Sequence, residues 1–161
     1  MGKRLAIIAT KGTLDMAYPP LILATTAAAL DYEVHIFWTF YGLQVLKKDR
    51  DLKISPLGNP AMPMIPPGMK TEIPMPNIAF MIPGMEILAS NMMKQKLKEK
   101  GVASIDDLLE MAIESEVKMI ACQMTVDLFD FKHSDLIDGL EYAGAARFFE
   151  VAQGADIVLF I

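Results

Sequence analysis

Hydrophobic residues in this chain fall into short unbroken runs separated by stretches with helical spacing. Four of the runs predict strands: RLAIIAT at 4–10, EVHIFWTF at 33–40, VKMIAC at 117–122 and DIVLFI at 156–161. An apolar run without polar breaks is typical of a strand that is buried on both faces, as in a parallel sheet. IAFMI at 78–82 predicts one further, shorter strand.

Helices are predicted between these runs. One begins after Ser104, because Ser104 and Asp107 match a capping signature and the apolar residues behind them recur at helical spacing. Another covers 15–30, where Pro19 and Pro20 favour a start near Met16 or later. The remaining predicted helices cover residues 41–48, 86–100, 125–131 and 142–152. Strands alternating with helices predict an α/β fold with three layers, a mostly parallel sheet flanked by helices.

A long insertion rich in proline and methionine interrupts this alternation. Residues 55–93 hold eight of the ten prolines and eight of the thirteen methionines. Loops of this length in a compact domain are usually functional or disordered, and this one is too apolar for disorder. We therefore expect another surface to cover it: the rest of the chain, a sister subunit, a partner protein or a lipid surface.

Size and charge narrow the class of protein. A chain of 161 residues is expected to form a single domain over 1–161. Its 15 basic and 20 acidic residues give a net charge of −5, which argues against a general nucleic-acid surface. One cysteine cannot form an intramolecular disulfide, so a reducing cytoplasm is the expected location. No apolar run reaches the ~20 residues that a membrane-spanning helix needs.

Cys122, the single cysteine, is the main candidate for chemistry. It is predicted at the carboxyl end of a strand, where open α/β sheets place their ligand sites. With Thr125 as the N-cap of the next helix, free backbone N–H groups would favour a thiolate. Asp127 opposes this charge, and Lys11 can offset it. The residues alone leave open the alternative of a small, inert core cysteine.

Other schemes have weaker support. The absence of a Cys-x-x-Cys motif excludes a thioredoxin-type dithiol cycle, and one cysteine with two histidines argues against a structural zinc site, so we expect no metal. His133 is either a base for Cys122 or a surface histidine. Lys11-Gly12-Thr13 is only faintly similar to a phosphate-binding turn and no nucleotide motif is present, so small-molecule binding is a third reading and no cofactor is expected.

Several separated motifs make the chain resemble the DsrE/DsrF-like sulfur-transfer superfamily, in the branch often described as peroxiredoxin-like. They occur in the same order as in that family and cover nearly the whole chain. They are K-G-T-L-D at 11–15, F-W-T-F-Y-G-L at 37–43, M-I-P-G-M at 81–85, A-C-Q-M at 121–124 and D-L-I-D-G-L-E-Y-A-G-A-A at 135–146.

The resemblance implies a DsrE-like α/β fold, homo-oligomerisation and a sulfur carrier or sulfurtransferase. Cys122 matches the family cysteine, which holds sulfane sulfur as a persulfide. Such carriers accept sulfur from a rhodanese-like donor and pass it to a TusA-like carrier. The residues expected to stabilise the anion or line its pocket are Lys11, Gly12, Gln123, Met124 and Thr125.

The peroxiredoxin description does not fit the residues. A peroxidatic Pro-x-x-x-Thr-x-x-Cys motif would need proline and threonine where Ser115 and Met119 stand. The alternative to a sulfur carrier is a non-catalytic oligomeric or membrane-associated module, with peripheral membrane contact through residues 60–93.

Overall fold

The computed structural model describes residues 2–55, 63–64, 73–74, 78 and 81–161. The chain divides into two compact units, one formed by Met1–Leu52 with Ala103–Ile161 and the other by Lys53–Val102. A single cooperative domain over 1–161 stays a prediction. The first unit holds the main sheet and Cys122, so the site is built within it.

The elements of the described residues are as follows. The strands are β1 Arg4–Ala9, β2 Glu33–Trp38, β3 Pro63–Met64, β4 Ile73–Pro74, β5 Lys118–Cys122, β6 Glu141–Ala143 and β7 Ile157–Phe160. The α-helices are α1 Leu14–Ala29, α2 Met85–Glu99, α3 Ile105–Glu114, α4 Gln123–Leu128 and α5 Ala145–Gln153. Two 3-10 helices cover Phe40–Leu46 and His133–Asp135.

Five strands form one sheet in the order β6-β5-β2-β1-β7, and every neighbouring pair is parallel. The two central strands, β1 and β2, are almost entirely buried. Their unbroken apolar runs are therefore explained by cover on both faces. The predicted α/β class, with a parallel sheet flanked by helices, is confirmed.

Helices cover the two faces of the sheet unequally. On one face α1 packs against α3 and against β1 and β2. On the other, Phe148 and Val151 of α5 join a buried cluster with Phe37, Ile120 and Cys122. Helix α5 crosses this face because it connects β6 and β7, which lie at opposite edges of the sheet. Cys122 thus belongs to the α5 side of the core.

The two prolines of α1 lie inside the helix, so the prediction of a start near Met16 or later is wrong. The helix begins at Leu14, where the N–H groups of Met16 and Ala17 both donate to the Thr13 carbonyl oxygen. This first turn forms before the prolines are reached. Pro19 and Pro20 then each remove one donor from the helix, and Pro20 is buried.

The predicted cap of α3 is confirmed in full. The Ser104 hydroxyl accepts from the Asp107 N–H at 3.1 Å, and the Asp107 carboxylate accepts from the Ser104 N–H at 2.9 Å. This reciprocal pair satisfies two of the backbone donors that every helix start leaves open.

Strand β6 was not predicted. The apolar spacing at 142–152 predicted one helix, but Glu141–Ala143 pairs with β5, placing Cys122 opposite Ala143, and the helix begins only at Ala145. A strand of three residues is too short for a two-residue periodicity to show. Tyr142 also fits the helical stripe by coincidence of spacing.

In the second unit, β3 and β4 pair antiparallel and α2 lies close to its predicted bounds. The strand predicted at 78–82 is not found at its described positions, because Ile78 and Met81 have 3-10 conformation. Residues 79 and 80, like most of the proline-rich segment, lie outside the described residues. None of the described helices has the length and apolar character to span a membrane.

Candidate functional site

Cys122 lies where β5 ends and α4 begins, at the carboxyl edge of the sheet. It is itself the N-cap of α4, with extended backbone angles, and it is 4% exposed. The prediction of Thr125 as N-cap is therefore wrong, because the N-cap lies three residues earlier, at Cys122, and Thr125 is completely buried within the helix. The sulfur therefore belongs to the last residue of a buried strand and lies at the start of the next helix.

The end of the neighbouring strand β2 supplies a second wall of the site. Trp38 pairs with Ala121 in the sheet, so Thr39 follows alongside Cys122. The Thr39 and Thr125 hydroxyl oxygens are 3.2 Å apart, and the Phe40 N–H donates to the Thr125 hydroxyl at 3.2 Å. Thr125 is completely buried and Thr39 is half-buried, so this contact ties α4 to the end of β2 at the border of the core.

Hydrogen bonds around the sulfur favour its thiolate form. Burial alone raises the pKa of the Cys122 thiol. The hydroxyls of Thr125 and Thr39 and the backbone N–H groups of Thr125 and Met124 hydrogen-bond to the sulfur, and together they hold that pKa below its ordinary value. Because the thiolate is the nucleophile, this geometry increases the reactive fraction at neutral pH.

The predicted pocket residues of α4 have different surroundings. Met124 and Thr125 reach the sulfur through their backbone N–H groups, while the Met124 side chain is 59% exposed. The Gln123 side-chain amide instead donates to the Asp127 carboxylate at 2.7 Å. Asp127, the charge expected to oppose a thiolate, is thus held along the outer face of the helix.

Lys11 and Gly12 lie on the loop after β1, farther from the sulfur. Strand β2 separates β1 from β5, which puts two inter-strand spacings, roughly 10 Å, between the strand ends. The Lys11 side chain is exposed. A Cβ on Gly12 would lie 2.1 Å from the Tyr41 carbonyl oxygen, so glycine is required here for close packing of two loops.

Gly42 makes the reciprocal contact. A Cβ at this position would lie 2.3 Å from the Ala9 carbonyl oxygen, and the Gly42 N–H donates to the Thr10 carbonyl at 3.1 Å. The loops after β1 and β2 therefore interlock through their two glycines. This packing fixes the position of Thr39 and Phe40 relative to Cys122.

Apolar side chains surround the site on the outside. We define the apolar rim as Phe40, Tyr41, Met124 and Leu128, which are between 46% and 63% exposed. Tyr41 also stacks on Phe129, with ring centroids 5.7 Å apart. The rim includes residues of the 3-10 helix after β2 and of α4, two elements that contact each other.

His133 does not lie beside the sulfur. Its ring stacks on Tyr142 at a centroid distance of 3.8 Å. Tyr142 pairs with Ala121, whereas Cys122 pairs with Ala143, and successive residues of a strand point to opposite faces. His133 therefore lies on the other side of the sheet, which argues against its interpretation as a base for Cys122.

The sequence pattern does not identify Thr39 as a site residue. The apolar run at 33–40 predicts that Thr39 lies inside a strand, but the strand ends at Trp38. The available signal was its place in the family motif at 37–43. In the part of the chain that the structure describes, no group of three or more His, Cys, Asp or Glu side chains is arranged to hold a metal ion.

Comparisons with known proteins agree with this architecture. The DsrE/DsrF/DrsH-like family model matches residues 1–160. The chain is 63% identical over 159 residues to a protein of Allochromatium vinosum named sulfur carrier protein DsrE2, covering 99% of this chain and 98% of the relative. It is 35% identical over 162 residues to the uncharacterized protein YrkE of Bacillus subtilis, covering 99% and 97%.

A solved structure supports the fold. The crystal structure of the ychN protein from E. coli matches with a TM-score of 0.60 and 14% sequence identity, over 100% of both chains. At this identity the likeness concerns the fold alone.

Proposed function

Because this chain belongs to the DsrE/DsrF/DrsH-like family, we propose that it is a sulfur carrier that holds sulfane sulfur as a persulfide on Cys122. The relative from Allochromatium vinosum is named a sulfur carrier protein. The observation that carries the proposal here is the set of hydrogen bonds that lowers the pKa of Cys122 at the start of α4.

Loading is a displacement at sulfur. The Cys122 thiolate attacks the terminal sulfur of a polysulfide, or the outer sulfur of thiosulfate, and forms a new S–S bond. The old S–S bond breaks, and its electron pair leaves with the shortened polysulfide or with sulfite. Cys122 ends as a persulfide anion, so charge is conserved and no other oxidant or reductant is needed.

Unloading repeats this chemistry in the opposite sense. An acceptor thiolate attacks the outer sulfur, and the Cys122 sulfur leaves as a thiolate. Since Cys122 is the only cysteine in 161 residues, the acceptor thiol belongs to another molecule. The Met124 and Thr125 N–H groups stabilise the anion at both steps, Gln123 keeps Asp127 turned along the helix, and Gly12 shapes the neighbouring loop.

The proposed partners are a rhodanese-like donor and a TusA-like carrier in a reducing cytoplasm. The apolar rim offers them a contact surface beside Cys122, because its four side chains are about half exposed or more. We also propose that the chain forms a homo-oligomer. Lys11, exposed at the same edge of the sheet, attracts anionic donors rather than contacting the sulfur.

The test is loading of the intact protein. Wild type is incubated with polysulfide or thiosulfate, and its mass is compared with that of Cys122→Ser. We expect wild type to gain whole sulfur atoms that a reducing thiol removes, and the variant to gain none. A wild type that stays unmodified with both donors would contradict the proposal.

A second variant controls for ordinary thiol reactivity. Ser115 is exposed and follows α3, so Ser115→Cys in the Cys122→Ser background places one thiol outside the hydrogen-bonded site. We expect it to load more slowly than wild type below pH 8. Equal rates would show that the surroundings of Cys122 contribute nothing.

A second function has its own supporting observation. The second unit exposes large apolar side chains, among them Ile78, Met81 and Ile82 at 58–81%. We propose as the alternative that this unit mediates self-association or peripheral lipid contact. Size-exclusion chromatography with light scattering, beside flotation with anionic vesicles, separates the two: a defined oligomer without flotation supports self-association, and a monomer that stays unbound contradicts both.

A further inference from the structure

Two threonine hydroxyls meet at Cys122 although they are far apart in sequence. Thr39 directly follows β2, and Thr125 is the third residue of α4. Their oxygens are 3.2 Å apart. Thr125 is completely buried, Cys122 is 4% exposed and Thr39 is half-buried, so the contact lies at the border of the core. Hydrogen bonds in such surroundings are electrostatically stronger than in water.

The backbone at Phe40 orients this pair. The Phe40 N–H donates to the Thr125 hydroxyl oxygen at 3.2 Å, which occupies one acceptor position and leaves the hydroxyl hydrogen to point elsewhere. Phe40 has a φ of 48°, in the left-handed region that bulky side chains rarely adopt. A strained backbone conformation of this kind persists where the surrounding packing enforces it, and such conformations are concentrated at functional sites.

We propose that Thr39 and Thr125 act as catalytic residues in the release of sulfur from Cys122. The inference rests on the proposed function. When an acceptor thiolate attacks the outer sulfur, the S–S bond breaks and its electron pair moves to the Cys122 sulfur. Each hydroxyl has one hydrogen, so the threonine that donates in the Thr39–Thr125 hydrogen bond turns from its partner to the sulfur, and both hydroxyls then donate to that sulfur as its negative charge develops.

The effect on release follows from leaving-group chemistry. A thiol of lower pKa leaves faster in exchange at sulfur. Burial raises the pKa of Cys122, and the hydrogen bonds from the two hydroxyls lower it. They are neutral donors, so the site does not trap the thiolate in a fixed ion pair with a cation. Thr39 and Thr125 thus speed transfer of the outer sulfur to the acceptor, and they leave the Cys122 thiolate able to attack the next donor.

The experiment compares Thr39→Val, which keeps the shape but removes the hydroxyl, with Thr39→Ser, which keeps the hydroxyl. Each protein is loaded with polysulfide, freed of excess donor and mixed with cyanide. Cyanide attacks the outer sulfur, leaves as thiocyanate and returns Cys122 as a thiolate. We expect Thr39→Val to release several-fold more slowly, roughly 3- to 10-fold, and Thr39→Ser to release close to the wild-type rate.

A second readout separates chemistry from folding. The pH dependence of iodoacetamide alkylation, measured on the unloaded proteins, should shift upward by about one pH unit in Thr39→Val and little in Thr39→Ser. Thr125→Val and Thr125→Ser provide the same pair at the buried position. Melting temperatures show whether each variant keeps the fold.

The other possible outcomes separate a catalytic role of the two threonines from a packing role and from failure of the proposed function. Wild-type release rates with unchanged alkylation profiles in both valine variants overturn the assignment of the threonines. Equal slowing in the valine and serine variants also overturns it, because that pattern reports packing. Failure of the wild type itself to load overturns the proposed function, and with it the release step, whereas normal loading with unaltered release overturns only the threonine assignment.

Discussion

The central sheet stabilises negative charge differently at its carboxyl edge, where the strands end, and at its amino edge, where the strands begin. At the carboxyl edge, neutral donors from Thr39, Thr125 and Met124 surround one buried sulfur. At the amino edge, the Glu33 carboxylate is 48% exposed, forms an ion pair with Arg4 at 2.8 Å and lies 2.9 Å from Nε2 of the buried His35. Neutral donors around a buried sulfur act on one atom that has little contact with solvent, whereas the charge of an exposed carboxylate is screened and contributes little.

This difference indicates where substitutions will matter. The carboxyl edge is held by close backbone packing and oriented donors, so small changes of shape should disturb both stability and the thiol. At the amino edge the Glu33 charge is half exposed and screened by solvent, so its removal should cost little.

The largest effect is expected for Gly42→Ala. The new methyl group would lie 2.3 Å from the Ala9 carbonyl oxygen, which forces the loops after β1 and β2 apart. We expect a loss of about 1–3 kcal/mol in the free energy of unfolding, measured by urea denaturation, together with slower alkylation of Cys122.

Gly144→Ala is the matched control for this substitution. Gly144 has a φ of −91° and no heavy atom within 4 Å of an added Cβ. Gly144 is the N-cap of α5, where alanine is less favourable than glycine, so we expect a loss of about 0.5–1 kcal/mol, smaller than that of Gly42→Ala. Equal losses in the free energy of unfolding of the two alanine variants would contradict the interpretation that close packing at Gly42 holds the loops after β1 and β2 together.

A smaller effect is expected for Glu33→Gln at the amino edge. Hydrogen bonds from His35 and Arg4 lower the pKa of Glu33, so its contribution is complete above the carboxyl pKa of the unfolded chain and is lost as pH falls through the folded value. Because the side chain is half exposed, we expect less than about 1 kcal/mol at pH 7.

The measurement is urea denaturation of wild type and Glu33→Gln at pH 7 and near pH 3. The difference between them should shrink at the acidic pH and in high salt. A difference that grows on acidification would contradict the sign derived from the lowered pKa.

The smallest effect is expected for Lys11→Ala. If Lys11 attracts anionic donors from a distance, its removal should slow loading by thiosulfate about twofold at low salt and leave alkylation by neutral iodoacetamide unchanged. Stopped-flow loading rates at two salt concentrations test this. Equal slowing with both reagents would instead place Lys11 in the immediate surroundings of the sulfur.

Much of the sheet could be predicted from the sequence, because buried parallel strands leave unbroken apolar runs. The runs at Arg4 and Glu33 became β1 and β2, and the cap at Ser104 became the start of α3. Strand β6 escaped prediction because three residues at an edge carry no periodic signal. The start of α1 was misjudged because tertiary packing tolerates two prolines that helix propensity disfavours.

The position of Cys122 followed from the same pattern, but its surroundings did not. The approach of Thr39 to Thr125 joins residues 86 positions apart, and only the pairing of β2 with β5 brings them together. A local motif around Cys122 cannot show a donor that arrives from another strand. For the same reason, the sequence suggested Asp127 as an opposing charge without showing that Gln123 holds its side chain.

The pKa of the Cys122 thiol in the folded wild type tests the contrast between the two edges most directly. Iodoacetamide alkylation is followed from pH 5 to pH 10 for the native protein and, as reference, for the same protein in denaturing urea. We predict an inflection for the native thiol below the value of about 8.5 of an ordinary cysteine, and one near that value in urea. A native inflection at or above the urea value would contradict the account, since burial would then outweigh the hydrogen bonds at the carboxyl edge.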